Sequence, residues 1–353
     1  MFVISFISLN RRGSGGYLAK RKSFLIMVVK SASMYESGTA SLERHNENPI
    51  LLPNEDTWWE SEAVFNPAVL YDGNKVHMLY RAIGEYEHYI SRFGYACSTD
   101  GFNFERKNEI AFRPTERYEN YGIEDPRLVA IDNEVYLTYV VPSDYVAKGT
   151  ISSSTALATT NDFHNHTRLG IISSKDSDNK DVVLFSEKIN QKYLVLHRPR
   201  NWIGSKFGVD KPSIWIAEGN SLSNFENHTL LMKPEQTWEE LKIGSGPPPI
   251  KTKYGWLLIY HGVDKDLVYR AGAAILDLNN PAKVLARTKE PILQPEEPYE
   301  RIGDVNNVVF PTGACVIDER LHVYYGGADK VCCLAVVELN ALLECILSES
   351  QNN

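Results

Sequence analysis

The sequence predicts an all-β chain folded as a five-bladed β-propeller around a central channel, on three observations. One pattern occurs five times: an apolar segment, a turn containing Asp, Asn, Gly or Lys, then an apolar-aromatic strand that ends in polar groups. The anchor of that second strand recurs as Tyr80, Tyr139, Leu196, Tyr260 and Tyr325, at spacings of 59, 57, 64 and 65 residues. Within the copies, VHMLY, VYLTYV and LHVYY alternate with the two-residue period of a half-buried strand. Repeats of this size, with three or four strands each, are the mark of propeller blades. A β-sandwich leaves the five equivalent hairpins unexplained.

Taken in order, residues 1–40 read as a poorly structured extension, with the functional chain starting near Met27 or Met34. MFVISFISL is apolar but short, and its basic cluster follows it, the reverse of a secretory signal. FLIMVV is too short to span a bilayer, so no membrane partner is expected. Residues 41–353 then form one propeller domain. Its hairpins start at Asn66, Glu124, Asp181, Gly246 and Phe310. A third strand follows each one (FGYACSTDGFNFE, TALATTNDFHNHT, SIWIAEGNSLSNFE, AGAAILDLNNPAKVLA, CCLAVVELNALLE), and then a turn and a further strand. Only ELNALLECIL reads as helix. In GSGPPP the three prolines fix an extended approach to the next strand, and no GK[ST] ending makes it a phosphate loop.

Composition narrows the partners. A formal charge of -8 argues against a general nucleic-acid binder, which carries a basic face. The five cysteines lack CxxC pairs, so a reducing, cytoplasmic setting is expected, with Cys332 and Cys333 in the core. The nine histidines show no HxxxH or HExxH spacing, and no metal is expected.

In a propeller the inner strand ends of different blades face one pocket. The polar groups after the repeated anchors are therefore candidates: Arg81, His197, Arg198, Arg200, His261 and Asp329. Trp58, Trp59, Tyr121 and Trp202 read either as sugar-stacking rings or as core aromatics.

The motifs FNPAV, YRA, SRFGYACSTDG, YGIEDPR, KIGSGPPPI, YHGV and YYGGAD occur in this order between Asn46 and Glu344. In them the chain resembles glycoside hydrolase family 130, the β-mannoside phosphorylases and related β-mannosidases. The resemblance implies inverting phosphorolysis of β-mannosides, with inorganic phosphate as co-substrate and no cofactor. Asp125 is then the general acid, passing its proton to the leaving oxygen through the sugar's 3-hydroxyl and releasing α-mannose 1-phosphate. Ordinary glycosidases need a second carboxyl group, whose place phosphate takes. The family holds phosphate with an Arg, a Lys, a His and a Tyr, which here match Arg198 (or Arg200), Lys242, His261 and Tyr269. Asn66, Arg81, Arg92 and Asp329 match sugar-binding positions.

Glu124 has either a supporting or sugar-binding role or a structural one, and strand alternation would turn it away from Asp125. The motif variants look closer to the subgroup acting on mannose oligomers, with β-1,2 and β-1,4 linkages both open. The family commonly forms homo-oligomers. Two other readings stand beside phosphorolysis. A β-mannosidase would need a base such as Glu218, Asp264 or Glu296, and a non-catalytic propeller would be a binding module.

Overall fold

The computed structural model describes residues 41–143 and 152–351, so the extension expected over residues 1–40 lies outside the described residues. The first described strand, β1 (Glu43–Arg44), is followed by five antiparallel sheets. Blade 1 is β2 (Ala63–Tyr71), β3 (Val76–Ile83), β4 (Arg92–Ser98) and β5 (Glu105–Phe112). Blade 2 is β6 (Glu124–Ile131), β7 (Glu134–Pro142), β8 (Ser153–Thr160) and β9 (His166–Ile171). Blade 3 is β10 (Asn179–Leu184), β11 (Tyr193–Pro199), β12 (Ile214–Ser221) and β13 (Asn224–Met232). Blade 4 is β14 (Lys242–Ser245), β15 (Ile250–Thr252), β16 (Gly255–Val263), β17 (Tyr269–Leu276) and β18 (Val284–Arg287). Blade 5 joins β19 (Val309–Ile317), β20 (Arg320–Gly327) and β21 (Val331–Glu338) to β1. The protein is a five-bladed β-propeller. The closing helix, Leu339–Gln351, packs on blades 4 and 5.

Two-residue alternation divides the core into five layers, one between each pair of neighbouring blades. In β16, Leu257 and Ile259 face blade 5 while Trp256, Leu258 and Tyr260 face blade 3. Cys332 and Cys333 likewise fill two different layers. The first strand of each blade is the inner one: β2 contacts β19 and β6, and β10 contacts β6 and β14. The repeated tyrosines therefore lie one strand out from the axis.

Those tyrosines have a shared partner. The hydroxyls of Tyr80, Tyr139, Tyr260 and Tyr325 donate to Glu60, Glu119, Glu239 and Glu300 at 2.7, 2.8, 2.7 and 2.7 Å. All four glutamates are fully buried. Each is also paired with an arginine of the outer strand: Arg106, Arg168, Arg287 and Arg44 respectively. Leu196, lacking a hydroxyl, leaves blade 3 without this network. Arg44 is the one member that comes from the far end of the chain. It makes β1 the missing outer strand of blade 5 and closes the ring in sequence as well as in space.

Removing one partner of a buried ion pair strands the other charge. Arg44→Met is expected to lower stability by about 3 kcal/mol, read as a fall in the urea midpoint at constant m. A change under about 0.5 kcal/mol, as at ordinary surface sites, would mean that β1 does not close the ring.

Candidate active site

On the propeller axis lies a cavity of about 330 Å³ lined by all five blades. Backbone geometry aims its side chains. The pairing of β2 with β3 skips from Phe65–Arg81 to Ala68–Leu79, and that of β6 with β7 from Glu124–Val140 to Arg127–Thr138. The pairing of β10 with β11 skips from Lys180–Arg198 to Val183–Leu196. At each bulge one residue turns left-handed: Asn66 (φ 49°), Asp125 (φ 49°) and Asp181 (φ 57°). Asn and Asp are the non-glycine residues that tolerate this conformation, and such bulges re-aim side chains beside active sites. Because the bulge breaks the alternation, Glu124 and Asp125 both face the cavity, contrary to the simple strand reading.

One side of the cavity is rich in carboxylates. Oδ1 of Asp125 accepts from Asn66 Nδ2 at 2.8 Å and from Arg81 Nη1 at 3.2 Å. Arg81 Nη2 and Lys180 Nζ bind the two oxygens of Glu124 at 2.8 and 3.0 Å. Burial opposes the charge of Glu124, but Arg81 and Lys180 outweigh it and hold the carboxyl at about 2. Asp329, in the turn from β20 to β21, goes the other way. Burial, reinforced by Asp125, Asp304 and Glu124 against Arg81, pushes it up to about 7. Above it Tyr89 donates to Asp304, tying a loop of blade 1 to one of blade 5.

The opposite side is cationic. Lys242 Nζ donates to Tyr269 Oη at 2.9 Å, and burial followed by the charge of Arg198 lowers its pKa to about 8. Burial brings His261 down to about 3, leaving a neutral ring whose two nitrogens have no hydrogen-bond partner. Arg198 binds Asp181 through Nε and Nη2 while its buried Nη1 is unpartnered. Arg200, at the edge, is held by Asp178 and Ser152. Orphaned donors buried on a cationic surface suit an oxyanion.

Arg127 joins the two sides. Its Nε donates to Gly246 O at 2.7 Å and its Nη1 to the Asp125 and Pro126 carbonyls at 3.0 and 3.1 Å. Its Nη2 lies 4.0 Å from Asp181, and its guanidinium covers the Phe310 ring. Four blades meet on this one buried side chain.

Asp125, Asn66, Arg81, Glu124, Asp329, Arg198, Lys242, His261 and Tyr269 all line the cavity, and so does Arg200. Arg92 lies outside the lining, at the start of β4 over the Trp58 ring. His197 points away from the axis, to Asn179 and His228, because strand alternation turns it opposite to Arg198. Glu218, Asp264 and Glu296 lie elsewhere, the last two paired with Arg270 and Arg44. The sequence reading missed Asp181, Arg127, Lys180, Tyr89 and Phe310. Asp181 was findable, since it opens the third repeat where Asn66 opens the first. Lys180 and Tyr89 carry no such signal.

Fold and site together define a propeller enzyme whose axial pocket opposes a carboxylate side to a cationic side. The chain belongs to glycoside hydrolase family 130: the model of that family, described as β-1,4-mannooligosaccharide phosphorylase, matches residues 41–348. It is 44% identical to a 1,2-β-oligomannan phosphorylase of Thermoanaerobacter sp. (strain X514), over 84% of this chain and 97% of that one. A β-1,2-mannobiose phosphorylase of the same organism is 43% identical over the same shares. A solved β-1,2-mannobiose phosphorylase from Listeria innocua, in complex with β-1,2-mannobiose, superposes with a TM-score of 0.75 at 30% identity. That match covers 86% of this chain and 99% of the other.

Gly244 supplies a test of the cationic side. A Cβ there would lie 2.2 Å from Asp181 Oδ2 and 2.5 Å from His261 Cε1. Inorganic phosphate should raise the melting temperature of the wild-type protein by mass action. Gly244→Ala should weaken that binding by about 100-fold, the scale of a one-ångström misplacement. An equal thermal shift in both proteins would place the anion elsewhere.

Proposed function

We propose that the enzyme cleaves β-1,2-linked mannose oligosaccharides by inverting phosphorolysis. The observation that carries this reading is the opposition of Asp125 to a nest of unpartnered donors within one cavity. An oxygen of hydrogen phosphate, held by Arg198, Lys242, His261 and Tyr269 with Arg200 at the edge, bonds to C1 as the bond from C1 to the leaving sugar breaks. Asp125 supplies the proton to the leaving oxygen, by way of the 3-hydroxyl as in the family. Both of its hydrogen bonds fall on Oδ1, so Oδ2 is the oxygen suited to carry that proton. The proton brought by hydrogen phosphate balances the one given up and restores Asp125 to its acid form for the next turnover, while neutral His261 contributes a ring N–H to the bound phosphate. Asn66, Arg81, Glu124 and Asp329 hold the reacting sugar. The product is α-mannose 1-phosphate.

Hydrolysis needs a carboxylate base for water. The remaining carboxylates of the cavity are poorly suited: Glu124 and Asp181 are bound up with cations, and Asp329 sits beside Arg81 on the acid's own side. The linkage rests on the three β-1,2-named relatives, against the β-1,4 description of the family model. Cys97, Cys315, Cys332 and Cys333 form no disulfide among the described residues, which fits a reducing, cytoplasmic setting.

Sugar phosphate should form from β-1,2-mannobiose only when phosphate is present, and faster than from β-1,4-mannobiose. Asp125→Asn should lower kcat by about 1,000-fold. Full turnover in phosphate-free buffer would overturn phosphorolysis in favour of hydrolysis.

Lys242 must be protonated to bind a dianion, and its pKa is lowered rather than raised. The KM for phosphate should therefore climb as the pH rises through 8. Lys242→Gln should start with a KM about tenfold higher and show no such climb. A climb that persists in the variant would assign the titration to another group.

A further inference from the structure

We propose that Trp58, with Arg92 on its face, forms a subsite for the sugar units beyond the departing one, and so sets a preference for longer chains. The inference rests on the phosphorolytic reading above. In an inverting displacement the attacking and leaving oxygens lie on opposite faces of the reacting carbon. The phosphate nest is built from blades 3 and 4, so the leaving chain departs over the other side of the axis, where blades 1, 2 and 5 form the rim. Trp58 precedes β2, Arg92 opens β4, and Tyr121 stands just ahead of Glu124 and Asp125.

Trp58 and Trp59 are neighbours in sequence with opposite fates. Trp59 is 3% exposed and stacks on Tyr80, in the core. Trp58 is 69% exposed, and Tyr121 is 47% exposed. Among the described residues no carboxylate is bonded to Arg92, and the centre of its guanidinium lies 5.0 Å from the Trp58 ring. Its Nη1 is buried without a hydrogen-bond partner, and burial lowers its pKa. A buried donor left unmade is costly, and a ligand hydroxyl would satisfy it.

The platform is fixed to the strand that carries the acid. Ile123 N donates to Ser91 O at 3.2 Å, and Ser91 Oγ donates to Ile123 O at 2.7 Å. Gly122, at φ 96°, lies so close to Ser91 that a Cβ there would sit 2.9 Å from its nitrogen. On the other side any side chain at Gly84 would strike the Trp58 carbonyl. Arg92 and Asp125 are therefore held in register through one short stretch of backbone.

The ligand class follows from the chemistry. An indole face takes the C–H face of a pyranose, while a guanidinium donates to its hydroxyls. With Arg113 and Glu85 as its charged neighbours, Arg92 has an environment of mixed sign, which favours a neutral sugar over an anion.

The test compares β-1,2-mannobiose with β-1,2-mannotetraose in phosphate, following sugar phosphate. The wild type should favour the tetrasaccharide in kcat/KM. Trp58→Ala should reduce that preference by about tenfold, Arg92→Met should reduce it in the same direction, and Trp58→Phe should keep most of it. Equal losses on both substrates, or no loss on either, would overturn the subsite. A wild type that turns over neither sugar would instead overturn the phosphorolytic reading. A separate measurement decides the subsite even then. Titration with mannotetraose should change the tryptophan emission of the wild type but not of Trp58→Phe, and an identical change in both would overturn it.

Discussion

The site depends on a backbone device, the left-handed bulge repeated in the inner strands of blades 1, 2 and 3. A regular strand shows successive side chains to opposite faces, so it could offer the axis only every second residue. Bulging at Asn66, Asp125 and Asp181 lets two consecutive residues of β6, and two of β10, reach one cavity. The conformation costs free energy in any L-residue, and Asn or Asp at the bulge keeps that cost low. The surrounding ring holds it in place: Arg127 grips the carbonyls of Asp125 and Pro126 while reaching Gly246 of blade 4 and Asp181 of blade 3.

Charge is sorted across this cavity, and the sorting gives two neighbouring acids opposite behaviour. Glu124 touches two cations and stays ionised, whereas Asp329 is surrounded by other carboxylates and holds its proton to about neutrality. On the far side Asp181 offsets the charge of Arg198 and Arg127, so the nest can be assembled without an anion yet retain unpartnered donors for one. A cation cluster without Asp181 would repel itself; one fully paired would bind nothing.

Stability is handled separately, one strand further out. The Tyr–Glu–Arg networks of four blades satisfy buried carboxylates with hydroxyl, guanidinium and turn N–H groups, as at Glu119 and Glu239. Their repetition explains why tyrosine recurs in the pattern. The recurrence marks blade architecture, while the residues just beyond the tyrosines, such as Arg81 and His261, carry the polar groups of the axis.

Much of this was legible in the sequence. Repeat spacing and strand alternation predicted the blade count, the hairpins and the lining residues Arg81, Arg198, Arg200, His261 and Asp329, because those features are periodic and local. Asn66, Asp125, Lys242 and Tyr269 were legible only through the motifs shared with the family. The closing role of β1 was not legible: Glu43–Arg44 is too short to show a pattern, and its partner, Glu300, is some 250 residues away. Nor was the facing of Glu124, because a bulge is a change of register that only the paired strand reveals. The sequence by itself determined how many blades there are and which residue types reach the axis. Tertiary structure alone decided which charges meet, since an ion pair depends on the distance between strands that the chain places far apart.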